Sequence, residues 1–296
     1  MGTLYYAMYE GSVIVNSDRS VNYGDDTNVT GWLKAGKLIY CVPIGYNGKD
    51  TQAGTYTLQW KGGGQSTYVN LGAGTGELVA AATGTSLTEG GTVTGPKGSG
   101  KEAMHTAVSG QTWADLANTE CTDGTTGSID LASDNYTELQ FAVDPANATL
   151  GATYLFQVYA VAQSAAMTQE AGAYATLTMA NVPTVTTQDC DPVGSTTATG
   201  KGTITATGDL NATRRGFCYK EGTSGDPTTA DSTVYDDGSF IAEAYSKGIT
   251  GLTPSTGYRV RAYAVNPVGT SYGSTVQLTT TSGIVNNQVL CVISNA

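Results

Sequence analysis

The segment "GPKGSGKE", Gly95 to Glu102, comes within one residue of a phosphate-binding loop. Such a loop needs Ser or Thr after the lysine to hold magnesium, and Glu102 brings negative charge there instead. It also needs a strand before it and a helix after it, which the surrounding residues do not offer, so the segment reads as a flexible glycine turn. His105 is the only histidine. Any Ser-His-Asp or Cys-His arrangement would pass through it, yet the chain has neither a GxSxG elbow nor a recognisable cysteine signature. One histidine and scattered cysteines cannot make the usual zinc ligand sets. Acid pairs in "YGDDTN" (23 to 28), "ECTDG" (120 to 124) and "YDDGSF" (235 to 240) could flank a glycosidic bond, but that requires a defined separation across a cleft. In a β-protein such pairs read as turns. Calcium is the more natural use of these loops, but without EF-hand spacing no metal ligand is assigned. The expectation is a protein that is not an enzyme, with no catalytic and no cofactor-binding residue.

The bulk composition narrows the partners. At 296 residues the chain exceeds one typical domain, so two modules are expected. Charged residues make up 13%, beside 39 Gly and 18 Tyr, which suits sheets more than helices. A formal net charge of −11 repels a phosphate backbone, so nucleic acid is not an expected partner. The densest basic spot, "TRRGFCYK" at 213 to 220, reads as a solvated strand face. No apolar run approaches the roughly 20 residues that span a bilayer, so membrane insertion is not expected. The amino end, "MGTLYYAMYEGS", lacks the pattern of a signal peptide and opens on strand-like alternation. Cys41, Cys121, Cys190, Cys218 and Cys291 include no CxxC pair and read as free thiols from a reducing compartment. Trp32, Trp60 and Trp113 could stack sugars, although a strand tryptophan in a sandwich is more often core. Sequons at Asn28, Asn135, Asn147 and Asn211 matter only in a host that glycosylates.

The elements that would position these residues are strands. Apolar alternation recurs at 3 to 10, 11 to 16, 36 to 46, 55 to 62, 66 to 71, 138 to 144, 153 to 161 and 173 to 180, separated by Gly, Asn, Asp and Ser clusters. The one helical candidate is "QTWADLANTE", 111 to 120, which reads equally as a loop turn. This pattern, with the chain's length, predicts an all-β chain of two tandem β-sandwiches, the first with a long insertion. The clearest strand is "TGYRVRAYAVNPVGTSYG", 256 to 273. Its alternation sends Tyr258, Val260, Ala262 and Ala264 inward and Arg259, Arg261, Tyr263 and Val265 to a mostly wet face. Upstream, "GLTPSTGY" places Leu252 and Pro254 in a corner where a tyrosine can bury its ring and bond backbone with its hydroxyl.

With "STTATGKGTITATG", "TRRGFCYK" and the closing "VQLTT", the segment from about 182 to 280 resembles a fibronectin type III-like domain, of the variant common in bacterial surface proteins and phage structural proteins. Where many relatives carry a tryptophan on the third strand, this segment has Tyr219. The earlier "TYLFQVYAV" fits the same frame, with Tyr154, Phe156, Val158 and Ala160 inward, but lacks the "LTP" corner. Its outer positions Leu155, Tyr159 and Val161 are apolar, which predicts a cover from the insertion at about 72 to 137, the second domain or a neighbouring subunit. The insertion is long enough to form extra hairpins.

The expected domains are therefore 1 to 180, an Ig-like sandwich with the insertion; 181 to 281, fibronectin type III-like; and 282 to 296, a terminal strand or tail. That tail, "SGIVNNQVLCVISNA", either docks on its own domain or adds to a neighbour's sheet edge. The resemblance implies a virion structural protein, a phage decoration, fibre or tail-associated subunit. It would assemble through its first module as a homo-oligomer with other subunits of the particle and display the second for adhesion, cell-surface glycans being one target. The alternatives are a secreted, extracellular cell-surface adhesin or filament subunit, or a carbohydrate-binding module.

Overall fold

The computed structural model describes residues 6–8, 13–17, 22–25, 29–46, 52–72, 76–83, 85–89, 91–93, 112–117, 119–132, 135–161, 165–166, 168–169 and 175–283. The Gly95 to Glu102 loop, His105, Asp26, Asn28, Cys291 and the tail from residue 284 onward lie outside them. The chain divides into two compact units, Met1–Ala180 and Asn181–Ala296. Its described elements are all strands, as the alternating pattern predicts. The 111 to 120 segment holds two short strands and a turn in place of a helix.

The strands of unit 1 are β1 (Tyr6–Met8), β2 (Val13–Asn16), β3 (Asn22–Asp25), β4 (Val29–Trp32), β5 (Leu38–Tyr46), β6 (Gln52–Gly54), β7 (Tyr56–Gly62), β8 (Gln65–Asn70), β9 (Val79–Ala80), β10 (Thr112–Trp113), β11 (Glu120–Cys121), β12 (Ile129–Leu131), β13 (Asn135–Asp144), β14 (Thr153–Ala160), β15 (Ala165–Ala166), β16 (Thr168–Gln169) and β17 (Leu177–Met179). Those of unit 2 are β18 (Thr184–Gln188), β19 (Thr197–Ala206), β20 (Ala212–Glu221), β21 (Ser232–Phe240), β22 (Ala244–Thr250), β23 (Gly257–Asn266), β24 (Gly269–Tyr272) and β25 (Val276–Thr279).

Unit 2 is a two-sheet sandwich. One sheet runs β18-β19-β22 and the other β21-β20-β23-β24, with β25 also paired to β23. This is the fibronectin type III arrangement, and its core forms where the two inner faces meet. Tyr258, Val260, Ala262 and Ala264 are buried as their alternation requires, against Phe217, Tyr245, Ile249 and Ala198. The corner also forms, for the Thr253 N–H donates to the Tyr258 hydroxyl at 2.9 Å. The opposite face of β23 is drier than its sequence implies, because Tyr263 is only 1% exposed.

Unit 1 repeats this plan. β5 pairs with β13 as β19 does with β22, and β7, β14 and β17 follow the pairing of β20, β23 and β25. In register, Phe156 faces Trp60 on the neighbouring strand as Val260 faces Tyr219. The third-strand tryptophan absent from unit 2 therefore stands in unit 1, where Trp60 is 2% exposed and meets the Tyr154 ring edge-on at 5.6 Å. Trp32 also joins this core. The corner expected to be missing before Tyr154 is present, since the Thr149 N–H donates to the Tyr154 hydroxyl at 2.8 Å.

The insertion lies between β8 and β13, and its described part is not built of hairpins. β10 and β11 run parallel to β13, β9 pairs antiparallel with it, and β12 pairs with β6. Leu71, Leu78, Cys121, Ile129 and Leu131 reach the main core, while Ala81 and Leu87 cover the back of β5 and β13 over Ile39, Cys41 and Ala142. With both faces covered, β13 is buried from Tyr136 to Val143, the condition under which a strand loses its polar alternation. The described part of the insertion thus covers that sheet. On the outer side of β14, Leu155 and Val161 stay 38% and 44% exposed.

Candidate functional site

The acid-rich segments "ECTDG" and "YDDGSF" resolve into structural fastenings, while the side chains of "YGDDTN" lie outside the described residues. In "ECTDG" the Glu120 carboxylate accepts the Thr88 N–H at 2.8 Å, and Asp123 accepts the Thr125 N–H at 3.0 Å and the Cys121 thiol at 3.5 Å. Glu89 joins them, its carboxylate accepting both the Thr122 N–H at 2.6 Å and the Thr122 hydroxyl at 2.8 Å. The ligand atoms of Glu89, Cys121 and Asp123 lie within 4.8 Å of one another, a grouping the sequence conceals because Glu89 is more than thirty residues away. Burial pushes the Cys121 thiol far up. The Glu89 and Asp123 contacts close the loop.

In "YDDGSF", neighbouring acids on β21 serve different partners. Asp237 holds Arg214 through two contacts at 2.6 and 3.1 Å, and Asp236 pairs with Lys247 of β22. They do not converge on a common point. In unit 2, burial pushes the thiols of Cys190 and Cys218 up to about 11, so neither is a ready nucleophile at neutral pH. A hollow of about 590 Å³ lies over β19 and β22, and its charged member, Lys201, is committed to Asp191 at 3.0 Å.

The arrangement best suited to recognition lies on the outer face of the β21-β20-β23-β24 sheet. Pairing places Tyr235, Gly216, Tyr263 and Tyr272 in one row across four strands. Gly216 carries no side chain there, and a Cβ would meet the Val234 carbonyl oxygen at 2.1 Å. Arg214 lies 4.0 Å over the Tyr235 ring and Arg261 4.7 Å over Tyr272, within cation–π reach. Burial pushes the Tyr263 hydroxyl up to about 12, against the opposing pull of the Arg214 charge.

Part of the face is roofed by the loop after β20. Asp226 accepts from Arg259 at 2.9 Å and from Thr275 at 2.7 Å, and the Thr229 N–H donates to the Tyr272 hydroxyl at 3.2 Å. The other end is open, with Tyr235 42% exposed beside the Arg214–Asp237 pair. The "TRRGFCYK" strand is thus no simple solvated face. Arg214 and Arg215 point to opposite sides, the second binding Glu243 at 2.6 Å and stacking on Phe240. Alternation along β20 marks Arg214 as outward, but its meeting with Tyr235 depends on a pairing between distant residues.

No family model matches the chain, and no curated protein does. Among solved structures it is similar to the sensor domain of the anti-sigma factor RsgI4 of Pseudobacteroides cellulosolvens, at 14% identity over 34% of this chain and 97% of that one, with a TM-score of 0.27. It is also similar to the fibronectin type III domain of human fibronectin type III domain containing protein 3, at 20% identity over 37% and 93%, with a TM-score of 0.26. A two-domain fibronectin type III segment from chicken tenascin covers 81% of this chain and 92% of its own length, at 13% identity and a TM-score of 0.27. Likeness at this level adds nothing to the strand pairing traced above.

Proposed function

We propose that the chain is a non-enzymatic structural protein of a virus particle, a phage decoration, fibre or tail-associated subunit, that assembles through unit 1 and displays unit 2 for adhesion. The observation that carries this reading is the presence of a different open surface on each unit. On unit 1, Leu155 and Val161 project from the β14 side of a sandwich whose other sheet is already covered. Exposed apolar side chains on a regular strand suit burial against another subunit. On unit 2, Tyr235 with Arg214 offers the aromatic and arginine chemistry that anchors binding surfaces. The reactive side chains support a non-catalytic role, because Glu89, Glu120, Asp123, Asp236 and Asp237 fasten turns and strands and the thiols of Cys121, Cys190 and Cys218 are held protonated.

The test is to purify particles from the source culture, separate them from cell envelopes on a density gradient and label both fractions with an antibody to the chain. Labelling of particles at regular positions is the expected result. Labelling confined to envelopes would replace this reading with that of a surface adhesin.

A further inference from the structure

On the covered back of unit 1, β5 and β13 bring a thiol and a primary amide face to face. Cys41 and Gln140 are direct cross-strand partners, and both are fully buried. The Gln140 N–H is directed away from β5, donating to the Thr119 carbonyl at 2.9 Å. The Cys41–Gln140 pair is therefore of the non-hydrogen-bonded kind, in which side chains approach most closely, with Cβ atoms about 4.5–5.5 Å apart. Both side chains lie on the face carrying Ile39 and Ala142, opposite that of Tyr40 and Phe141. The third member is Glu138, two residues from Gln140 on this face and fully buried. Its Oε1 accepts the Gln140 Nε2–H at 2.5 Å. A nucleophile, an acyl group and a proton carrier thus share one face of the β5–β13 pair, all three fully buried.

We propose that Cys41 and Gln140 condense to an internal thioester that staples β5 to β13. The Cys41 Sγ attacks the Gln140 side-chain carbonyl carbon, forming the S–C bond, while Glu138 takes the thiol proton. The C–N bond then breaks, and Glu138 returns that proton to the nitrogen, which leaves as ammonia. The balance is one thiol plus one amide giving one thioester plus ammonia, with no oxidant or reductant and Glu138 unchanged. Fixed strand pairing makes the attack unimolecular, and exclusion of water protects the product from hydrolysis. The staple would join two strands that both contribute side chains to the main core of unit 1.

Intact mass of the freshly purified full chain under denaturing conditions tests this directly. The expected result is a species lighter than its sequence by one ammonia, with peptides holding Cys41 and Gln140 joined and Cys41 resistant to alkylation. Hydroxylamine should cleave the link and release an alkylatable Cys41. Cys41→Ala should show the full sequence mass, and Glu138→Gln should slow linkage by about 10²-fold or more. Full mass with alkylatable Cys41 in the unsubstituted chain would overturn the proposal, as would an ammonia deficit that persists in Cys41→Ala. Linkage at an unchanged rate in Glu138→Gln would remove Glu138 from the step. Should Cys41→Ala not fold, the peptide map of the unsubstituted chain decides alone.

Discussion

The Tyr154 hydroxyl accepts the Thr149 N–H from five residues back, as the Tyr258 hydroxyl accepts that of Thr253. The likeness extends to the backbone, since Gly151 and Ser255, at the same place in the two corners, both have positive φ, 72° and 54°. In each corner the next residue's carbonyl accepts an N–H from the closing strand, Met179 to Ala152 at 2.9 Å and Thr280 to Thr256 at 3.0 Å. The corners differ in one respect. The Tyr154 hydroxyl also donates to Glu77, an insertion residue that accepts the Gly64 N–H at 3.0 Å and the Thr149 hydroxyl at 3.1 Å. Unit 1 thus ties its insertion to its corner through a single carboxylate.

Removing one hydroxyl should therefore cost the units unequally. Tyr258→Phe strips a partner from one backbone N–H and is expected to cost about 1 kcal/mol, while Tyr154→Phe also releases Glu77 and is expected to cost about 2 kcal/mol. All three tryptophans lie in unit 1, so tryptophan fluorescence during urea unfolding of the full chain follows that unit selectively. Its midpoint should fall in Tyr154→Phe and stay in place in Tyr258→Phe. Equal shifts would show that the corners do not act separately.

The same carboxylate predicts a response to acid. Partial burial opposes ionisation of Glu77, but hydrogen bonds from Tyr154, Gly64 and Thr149 outweigh it and hold the carboxyl below its ordinary value. A folded-state value below the unfolded one means stability that is complete above the ordinary carboxylate range and is lost as pH falls through the depressed value. The fluorescence-detected midpoint should therefore decline from about pH 5 downward, and Glu77→Gln should flatten that decline. Asp226 and Asp237, also held low by hydrogen bonds, lie in unit 2, outside the reach of this probe. Superimposable pH profiles for the unsubstituted protein and Glu77→Gln would refute the assignment.

These corners also show how far the sequence could be read. Alternation alone places Tyr258, Val260, Ala262 and Ala264 in the core, because a strand between two sheets has one apolar face and a period of two. "LTPSTGY" is recognisable as a corner, whereas "ATLGATY" is not, because Gly151 reaches the left-handed conformation with no Pro beside it. The insertion was visible only as length. Its pieces β10 and β11 pair parallel to β13, and such pairing leaves no local turn signal. The Tyr235 row and the Cys41–Gln140 pair share this property, since each joins residues whose adjacency is set by strand register alone.

Two inward positions of β19 are glycines, and packing accounts for both. A Cβ on Gly200 would lie 2.8 Å from the Phe217 ring, and one on Gly202 would lie 2.8 Å from the Ala262 Cβ and 3.0 Å from the Tyr245 ring. Gly200→Ala should overpack unit 2 at a cost of about 1–3 kcal/mol. Trimming the obstructing ring with Phe217→Leu in the same chain should recover part of that loss, because the two sites share one volume. Calorimetry of the full chain would read the unit 2 transition while fluorescence reports an unchanged unit 1. Simple addition of the two losses would show that the Gly200–Phe217 contact is not their cause.

Tyr235 separates stability from recognition. Its ring lies on the surface under Arg214, and that guanidinium keeps Asp237 as a partner when the ring is removed. Tyr235→Ala should accordingly cost only about 0.5–1 kcal/mol of stability, the worth of an exposed cation–π contact. If the face anchors a partner, losing its exposed aromatic should weaken binding by about tenfold or more, as at other interface anchors. The full chain and its Tyr235→Ala variant, compared on host cells and a glycan array with unfolding measured in parallel, would distinguish the two effects. Binding unchanged in a folded variant would move adhesion off this face. Binding lost at nearly unchanged stability would locate it there, because the substituted ring touches solvent on one side and an already paired arginine on the other.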